Sequence, residues 1–260
     1  MMQMYKVEMP SGENNQRMIL GLMSNVGLAT MWLGSMVRSG TKYKNSNAEG
    51  VAGFGAFLFG AMRVFFGLTR SIPFAEKVGI PMTGMYVNLA IAGFIMLCGY
   101  SMWSEAGMPM PNFMNYLKFG SLREAAISYT AIVQGFFGVM MVFAPGMMEE
   151  QYMKAKYSAD AMGWIYQMMG LWGQAMICTS MMHCCFNGDC DDDSKNRVCR
   201  DIWFNSGTQM AIWIVWRIMY VTNGNDADAH SMMVNMCISF VGIMLGAFAY
   251  TGAVDKKKSD

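Results

Sequence analysis

The residues with the greatest potential for chemistry lie together in one short segment, MMHCCFNGDCDDDSKNRVC at 181–199. Thiolate and imidazole groups are the usual ligands of structural zinc, and paired thiols can form disulfides. The candidates are His183, Cys184, Cys185, Cys190 and Cys199. Their spacing matches no zinc motif of the C-x2-C type. Three outcomes therefore stay open: a metal site, one or two disulfides, or unligated thiols at the membrane surface.

Two arginines lie inside apolar stretches that otherwise look membrane-spanning, Arg63 in FGAMRVFFGL and Arg217 in IVWRIMYV. An arginine within a bilayer costs about 2.5–3.5 kcal/mol on insertion scales, so each guanidinium needs a partner or a route to the interface. Asn88 and Asn235 open the following helices at a similar predicted depth, and a carboxamide oxygen can accept from a guanidinium. We therefore predict two intramembrane pairs, Arg63 with Asn88 and Arg217 with Asn235. The alternatives are arginines that reach the lipid headgroups and arginines that line a solute or ion pathway.

Catalytic and cofactor motifs are not found. No hydrolase, metalloprotease, P-loop or dinucleotide-binding motif occurs, so we predict that the protein is not an enzyme. The chain has only two histidines, His183 and His230, which are predicted to lie a bilayer apart, roughly 30 Å. They cannot be the two axial ligands of one haem. Each could contact a lipid or a pigment such as chlorophyll, and no dedicated cofactor is otherwise expected.

Composition places the chain in a membrane. Of its residues 54% are hydrophobic and 14% are charged, against about 25% charged in soluble domains. The net charge of +1 argues against a nucleic-acid partner, since no basic surface is available to neutralise phosphates. Seven apolar stretches approach the length of about 20 residues that a bilayer crossing needs. They lie at 18–37, 50–68, 82–103, 125–145, 161–182, 205–222 and 230–250. We predict an all-α, polytopic helical bundle that forms one transmembrane domain over residues 1–260.

The distribution of positive charge predicts an orientation. Seven crossings place the two termini on opposite sides of the membrane. The loops at 38–49, 104–124 and 183–204, with the C-terminal tail, carry more Lys and Arg than the loops of the other side. The positive-inside rule therefore puts the C-terminus on the cytoplasmic, stromal or matrix side. No signal or transit peptide pattern is visible, and the lack of an N-glycosylation sequon argues against a glycosylated cell-surface protein. We expect an organellar membrane, thylakoid or mitochondrial inner membrane.

The order of features favours an internal duplication, although two apolar helices can also resemble each other by chance. Each intramembrane arginine is followed by a polar turn, then by Val-Asn at the start of the next helix, then by a glycine-spaced apolar run. This order gives a 3+1+3 arrangement in which 125–145 links two three-helix units, and parallel repeats of this kind occur among transporters. With an Asn in the third helix of each unit, the arrangement resembles that of the SWEET sugar transporters, which implies solute transport. The prolines of the gating helices of such carriers are missing from 18–37 and 161–182.

Two functions follow from these features. The leading prediction is a non-catalytic structural or accessory subunit of a larger photosynthetic or respiratory membrane assembly, in contact with other subunits and with lipids. In this case we expect the glycine-rich helix 50–68, or the Gly242 and Gly246 face, to contact another polypeptide, a pigment or a lipid. The alternative is a small-solute carrier. Glycine faces buried within the chain, around a polar cavity lined by Asn88 and Asn235, would favour the carrier.

Overall fold

The computed structural model describes residues 10–11, 13–42, 46–109, 116–152, 157–189, 191–222 and 229–252. All regular structure in these residues is helical, which confirms the predicted all-α membrane bundle. The helices are α1 (Glu13–Lys42), α2 (Ser46–Phe66), α3 (Ile72–Val78), α4 (Met82–Glu105), α5 (Leu122–Phe143), α6 (Pro145–Tyr152), α7 (Ala159–Asp189), α8 (Asp192–Thr222) and α9 (Ala229–Thr251). The seven long ones overlap the seven predicted stretches, but α7 extends to Asp189 and α8 begins at Asp192, so most of the loop predicted at 183–204 is helical.

The long helices run between two ends of the bundle. At one end, Asn15 near the start of α1 donates to Ser158 just before α7 (Nδ2 to Oγ, 3.2 Å). At the other end, Lys195 near the start of α8 pairs with Glu124 near the start of α5 (Nζ to Oε1, 3.3 Å). We call these the Ser158 end and the Glu124 end. Ser35, late in α1, donates to Asp201 in α8 at 3.0 Å, so α1 and α8 run antiparallel and share the Glu124 end.

Within the described ranges, five helical segments are long and apolar enough to cross a membrane, and α7 and α8 are not among them. The five are Asn15–Arg38, Glu49–Val78, Met82–Glu105, Leu122–Phe143 and Met233–Thr251. α7 packs against α1, α2 and α5, so its polar side chains face protein rather than lipid. Interior positions are where polar residues of membrane bundles are tolerated.

The outer surface is apolar, and α4 contributes much of it. α4 packs mainly on α2, and one long side of it is covered by nothing in the described chain. This side exposes large apolar side chains, Tyr86, Val87, Ile91, Phe94, Leu97 and Tyr100. A surface of this kind suits the hydrocarbon core of a bilayer.

The end of α2 differs from the polar turn that the sequence predicts after residue 68. The chain passes through a π-helical turn, Gly67–Ser71, and continues as α3 until Gly79, which has a φ of 73°. Pro73 explains the π turn, because proline lacks an N–H and its ring clashes with the carbonyl four residues earlier in an α-helix. Arg63 therefore lies further from the end of its helical segment than the sequence suggested.

Glycine allows α2 to approach its neighbours closely. A Cβ on Gly60 would lie 2.5 Å from the backbone nitrogen of Met96 in α4, and a Cβ on Gly53 would lie 2.5 Å from that of Trp103. On another side of α2, Gly55 leaves room for Met182 of α7. The prediction that this face contacts another polypeptide or a pigment is therefore wrong, because α4 and α7 cover it.

The glycines of α9 are covered in the same way. A Cβ on Gly246 would lie 2.7 Å from the backbone nitrogen of Trp203, and one on Gly242 would lie 2.6 Å from the hydroxyl of Ser206. Both partners belong to α8. The Gly242 and Gly246 face is thus also buried within the chain, which corrects the second half of the same prediction.

The helix contacts have the form that a 3+1+3 arrangement requires. α2 packs on α4 as α8 packs on α9, and α1 contacts α8 as α2 contacts α7. α1 also contacts its counterpart α7, while α5 packs on α7, α8 and α9. A twofold relation between α1, α2, α4 and α7, α8, α9 would produce this pattern. A duplication of the sequence itself stays a prediction.

The glycine contact between α2 and α4 can be tested with two alanine variants of α4. A Cβ on Gly99 would run into the backbone of Phe57 in α2, whereas Gly93 has open space around its Cβ position. We expect Gly99→Ala to lower the free energy of unfolding by about 1–3 kcal/mol through overpacking. Gly93→Ala should be neutral or stabilising, by up to about 1 kcal/mol, because alanine favours the helix. Unfolding in mixed micelles titrated with SDS measures both, and equal effects would contradict the close contact.

Candidate functional site

The bundle contains a partly open cavity of about 60 Å³ that is lined by α1, α5, α7, α8 and α9. Each of these helices contributes at least one polar side chain, among them Asn25, Gln134, Thr179, Ser206 and Asn235. None of the residues that line it is Asp, Glu, Lys, Arg or His. At about 10–15 Å³ for each buried water, the cavity has room for roughly four to six water molecules.

Three side chains that line the cavity carry buried polar atoms without a hydrogen-bond partner in the described structure. They are Asn25 Oδ1, Trp32 Nε1 and Gln134 Oε1. Asn25 is 1% exposed, and Trp32 and Gln134 are each 5% exposed. An unsatisfied buried polar group costs about 1–3 kcal/mol. A polar occupant of the cavity, water included, would satisfy these three groups.

Other polar groups leave hydrogen-bond acceptors facing the same space. The Asn25 amide nitrogen donates to the carbonyl of Gly21 at 3.0 Å, which fixes the amide orientation. The hydroxyls of Thr130 and Thr179 donate to carbonyls one turn earlier in their own helices, at 2.9 and 2.7 Å. Since these protons are used within the helices, the oxygen lone pairs are available to an occupant.

Of the two asparagines that the sequence singled out, only Asn235 lines the cavity. Asn88 is exposed on α4, and it forms no hydrogen bond within the described part of the chain. The predicted pair of Arg63 with Asn88 is therefore wrong. The Nε atom of Arg63 is buried, whereas Asn88 is exposed, so the two side chains lie in different surroundings.

Arg63 makes a different contact. Its guanidinium carbon lies 4.9 Å from the ring centroid of Phe59, one turn earlier in α2, and its Nε is buried without a hydrogen bond. A cation–π contact of this kind offsets part of the cost of burial. The side chain of Arg217 lies outside the described part of the structure, so its pairing with Asn235 stays a prediction.

Arg70, which the sequence reasoning passed over as a loop charge, joins three helices at the Ser158 end. Its Nη1 donates to the carbonyl of Val142 in α5 at 2.8 Å, and its guanidinium lies 4.8 Å from the ring centroid of Phe66. Gln167 of α7 donates to the Arg70 carbonyl at 3.3 Å and accepts from the Ser71 hydroxyl at 3.1 Å. The π-helical turn positions these groups. Pro73 is the only feature of the sequence from which this turn could have been predicted.

The Cys and His segment does not gather around one point, because 181–189 continues α7 as a helix. Cys185 is buried and Cys184 half-buried on α7, while Cys199 is buried on α8 with its thiol 3.9 Å from the carbonyl of Arg123. No disulfide joins any of these three to another described cysteine. In the described ranges no three His, Cys, Asp or Glu residues come together as a metal site. Cys190 lies outside the described residues.

His183 is completely buried among protein side chains. Its Nδ1 lies 2.7 Å from the carbonyl of Thr179, and the Trp32 ring meets it edge-on at 5.7 Å between centroids. This leaves no exposed surface for a lipid or a pigment, so the prediction of such a contact at His183 is corrected. The side chain of His230 is outside the described structure, and a pigment or lipid there stays a prediction.

A second polar cluster closes the Glu124 end around Asn187 of α7, which is fully buried. The Asn187 amide nitrogen donates to the Ser128 hydroxyl at 2.9 Å and to the carbonyl of Tyr116 at 3.0 Å. Ser128 in turn donates to the carbonyl of Lys118 at 2.7 Å, and Lys118 Nζ donates to the Gly188 carbonyl at 3.4 Å. The segment 116–120 is thereby held against the end of α7.

Asp191 directly precedes α8 at the same end of the bundle and caps it. The backbone N–H of Ser194 donates to its carboxylate at 2.7 Å. This hydrogen bond lowers the pKa of Asp191. Any contribution that the cap makes to stability is therefore present at neutral pH and is lost as the pH falls through the lowered pKa.

The Asn187 cluster can be tested by the same substitution at two asparagines. Asn187→Leu removes the donor from two carbonyls and a hydroxyl, so we expect the free energy of unfolding to fall by about 1–3 kcal/mol. Asn88→Leu, on the exposed side of α4, removes no hydrogen bond and should be neutral or stabilising in a lipid-like environment. The SDS titration described above measures both. An Asn187→Leu variant as stable as the parent would contradict the role of this cluster.

Comparison with known proteins places the chain in no family. No protein-family model, no curated protein and no solved structure matches it. The functional proposal therefore rests on the polar cavity, the clusters at the two ends and the helix contacts around them.

Proposed function

We propose that the protein is a membrane carrier for a small polar solute and that the central cavity is its binding site. The observation that carries the proposal is the set of three unpartnered polar side-chain atoms, one each in Asn25, Trp32 and Gln134, around one cavity inside an apolar bundle. Polar groups within membrane bundles are expensive and commonly mark the path of a solute. In this role the three side chains bind the solute, and the outer apolar surface faces lipid.

The position of the cavity along α7 suits a carrier. We call the hydrogen-bonded groups around Arg70, which include Gln167, the Arg70 cluster. Gln167 and Asn187 lie twenty residues apart in α7. This separation is about 30 Å along a helix, which equals the thickness of the hydrocarbon core. Thr179, which lines the cavity, lies between them. A solute bound there is thus separated from each side of the membrane by one polar cluster.

The helix contacts suggest how access could alternate. The units α1, α2, α4 and α7, α8, α9 meet along α1 and α7, and repeat-based carriers commonly move by rocking one unit against the other. In such a motion the Asn187 cluster would open toward the Glu124 side and the Arg70 cluster toward the Ser158 side. The hydrogen bonds of both clusters are of a kind that can break and re-form during a cycle.

The orientation belongs to the same proposal. Lys118, Arg123, Lys195 and Arg200 all lie near the Glu124 end, as does the end of α9, where Gly246 packs beside Cys199. By the positive-inside rule, this end would face the cytoplasm, stroma or matrix. We retain an organellar membrane, thylakoid or mitochondrial inner membrane, as the proposed location.

Transport can be tested with the purified protein in liposomes. We expect the protein to make the liposomes more permeable to at least one solute of about four to six non-hydrogen atoms, whether charged or uncharged. The permeability is measured by stopped-flow light scattering. Ala29 lines the cavity and is 7% exposed, so Ala29→Trp should fill the cavity and abolish the flux. Met31 is 72% exposed on the same helix, so Met31→Trp should leave the flux unchanged.

Circular dichroism and size-exclusion chromatography serve as the folding control for both variants. Equal flux in protein-free liposomes, or equal flux through folded Ala29→Trp, would contradict the carrier. A protein that can be isolated only within a larger complex, and that moves no solute, would instead support the accessory subunit predicted from the sequence. The covered glycine faces remove one of the features from which that function was predicted.

A further inference from the structure

We propose that the cavity selects small, uncharged solutes that are rich in hydrogen-bond donors, with urea as the type of molecule that fits. This inference rests on the proposed carrier function and adds the chemical class of the substrate. Three properties of the cavity carry it: its charge, its hydrogen-bonding groups and its volume.

The lining offers no counter-charge. None of the described residues around the cavity is ionic at neutral pH, and Tyr129 is the only one with a titratable side chain. Its hydroxyl donates to the carbonyl of Ile238 at 3.2 Å. An ion that entered would lose its hydration without gaining an opposite charge, and the penalty for this exceeds what neutral hydrogen bonds return. An uncharged solute avoids that penalty.

The hydrogen-bonding groups favour a donor-rich solute. Asn25 is oriented by its bond to Gly21, so its Oδ1 can only accept. The hydroxyl groups of Thr130 and Thr179 donate their protons within their own helices. These side chains therefore also offer oxygen atoms that can only accept. Trp32 Nε1 is the opposite case, since an indole can only donate. A molecule with several N–H or O–H groups and one acceptor oxygen would satisfy these groups together.

The volume limits the size of the solute. A cavity of about 60 Å³ holds roughly four to six water molecules, and therefore a molecule of about that many non-hydrogen atoms. Urea has one carbonyl acceptor and four N–H donors within this size. It passes all three criteria.

The class can be tested with three planar, Y-shaped molecules of equal size that differ in charge: urea, guanidinium and nitrate. Urea efflux from proteoliposomes is measured by stopped-flow light scattering, with guanidinium or nitrate added as a competitor. We expect urea to permeate faster than through protein-free liposomes and neither ion to slow it.

Variants of the lining residues identify the site. Asn25→Leu and Gln134→Leu each remove one hydrogen-bonding group and should lower urea flux about threefold to tenfold. Asn88→Leu, the same change on the exposed side of α4, should leave urea flux unchanged. Gln134→Glu places a carboxyl group in the cavity, and guanidinium should then inhibit urea flux in a manner that the parent protein does not show.

The outcomes separate this inference from the carrier function. Inhibition of the parent protein by guanidinium or nitrate, or flux of either ion above that of urea, would overturn the solute class and leave the carrier intact. Unchanged urea flux in folded Asn25→Leu and Gln134→Leu would also overturn the assigned site. If no solute of any charge moves, the carrier itself is contradicted and the inference falls with it.

Discussion

Close packing through glycine determines where the helices of this bundle are in direct contact and where a cavity remains between them. α2 meets α4 at Gly53, Gly60 and Gly99, and α8 meets α9 at Gly246, with backbones so close that a Cβ would collide. Small residues are the usual means by which membrane helices pack, because lipid provides no hydrophobic drive for association. The cavity forms between α1, α5, α7, α8 and α9, where the lining side chains are larger and include two tryptophans, Trp32 and Trp172.

The same close packing accounts for the polarity of α7. Helices on three sides cover it, so its polar residues need not meet lipid, and its low hydropathy does not prevent it from running from one end of the bundle to the other. Gln167 and the amide nitrogen of Asn187 form hydrogen bonds in clusters at the two ends. Asn25, Trp32 and Gln134 each have one polar atom without a protein partner, and all three residues lie around the cavity. These three atoms beside one cavity are what favours a solute site over a purely structural polar core.

The sequence predicted the number of the long helices, because each contains a long apolar or partly apolar run. It did not predict that the polar segment 183–204 would be mostly helical, because its polar residues indicated a loop. It did not predict which way each helix faces. α4 is apolar on all sides, so nothing in its pattern showed that Asn88 would be exposed or that Gly99 would face α2. Glycine spacing likewise marked where a close contact could form, but not that the partner would be another helix of the same chain. Arg70 was missed since its role depends on the π turn before Pro73, and on the Val142 carbonyl more than 70 residues away.

The central claim is that the middle of this membrane bundle holds a polar cavity open to solute, and thiol reactivity tests it most directly. Thr130 lines the cavity, whereas Ile132, two residues further along α5, is 48% exposed on the outer surface. In membranes, Thr130→Cys should react with the small reagent methyl methanethiosulfonate, as quantified for each site by mass spectrometry. A lipid-facing Ile132→Cys should not, because its thiol does not ionise in hydrocarbon. An unreactive Thr130→Cys, in a folded protein whose Ile132→Cys reacts, would contradict the account.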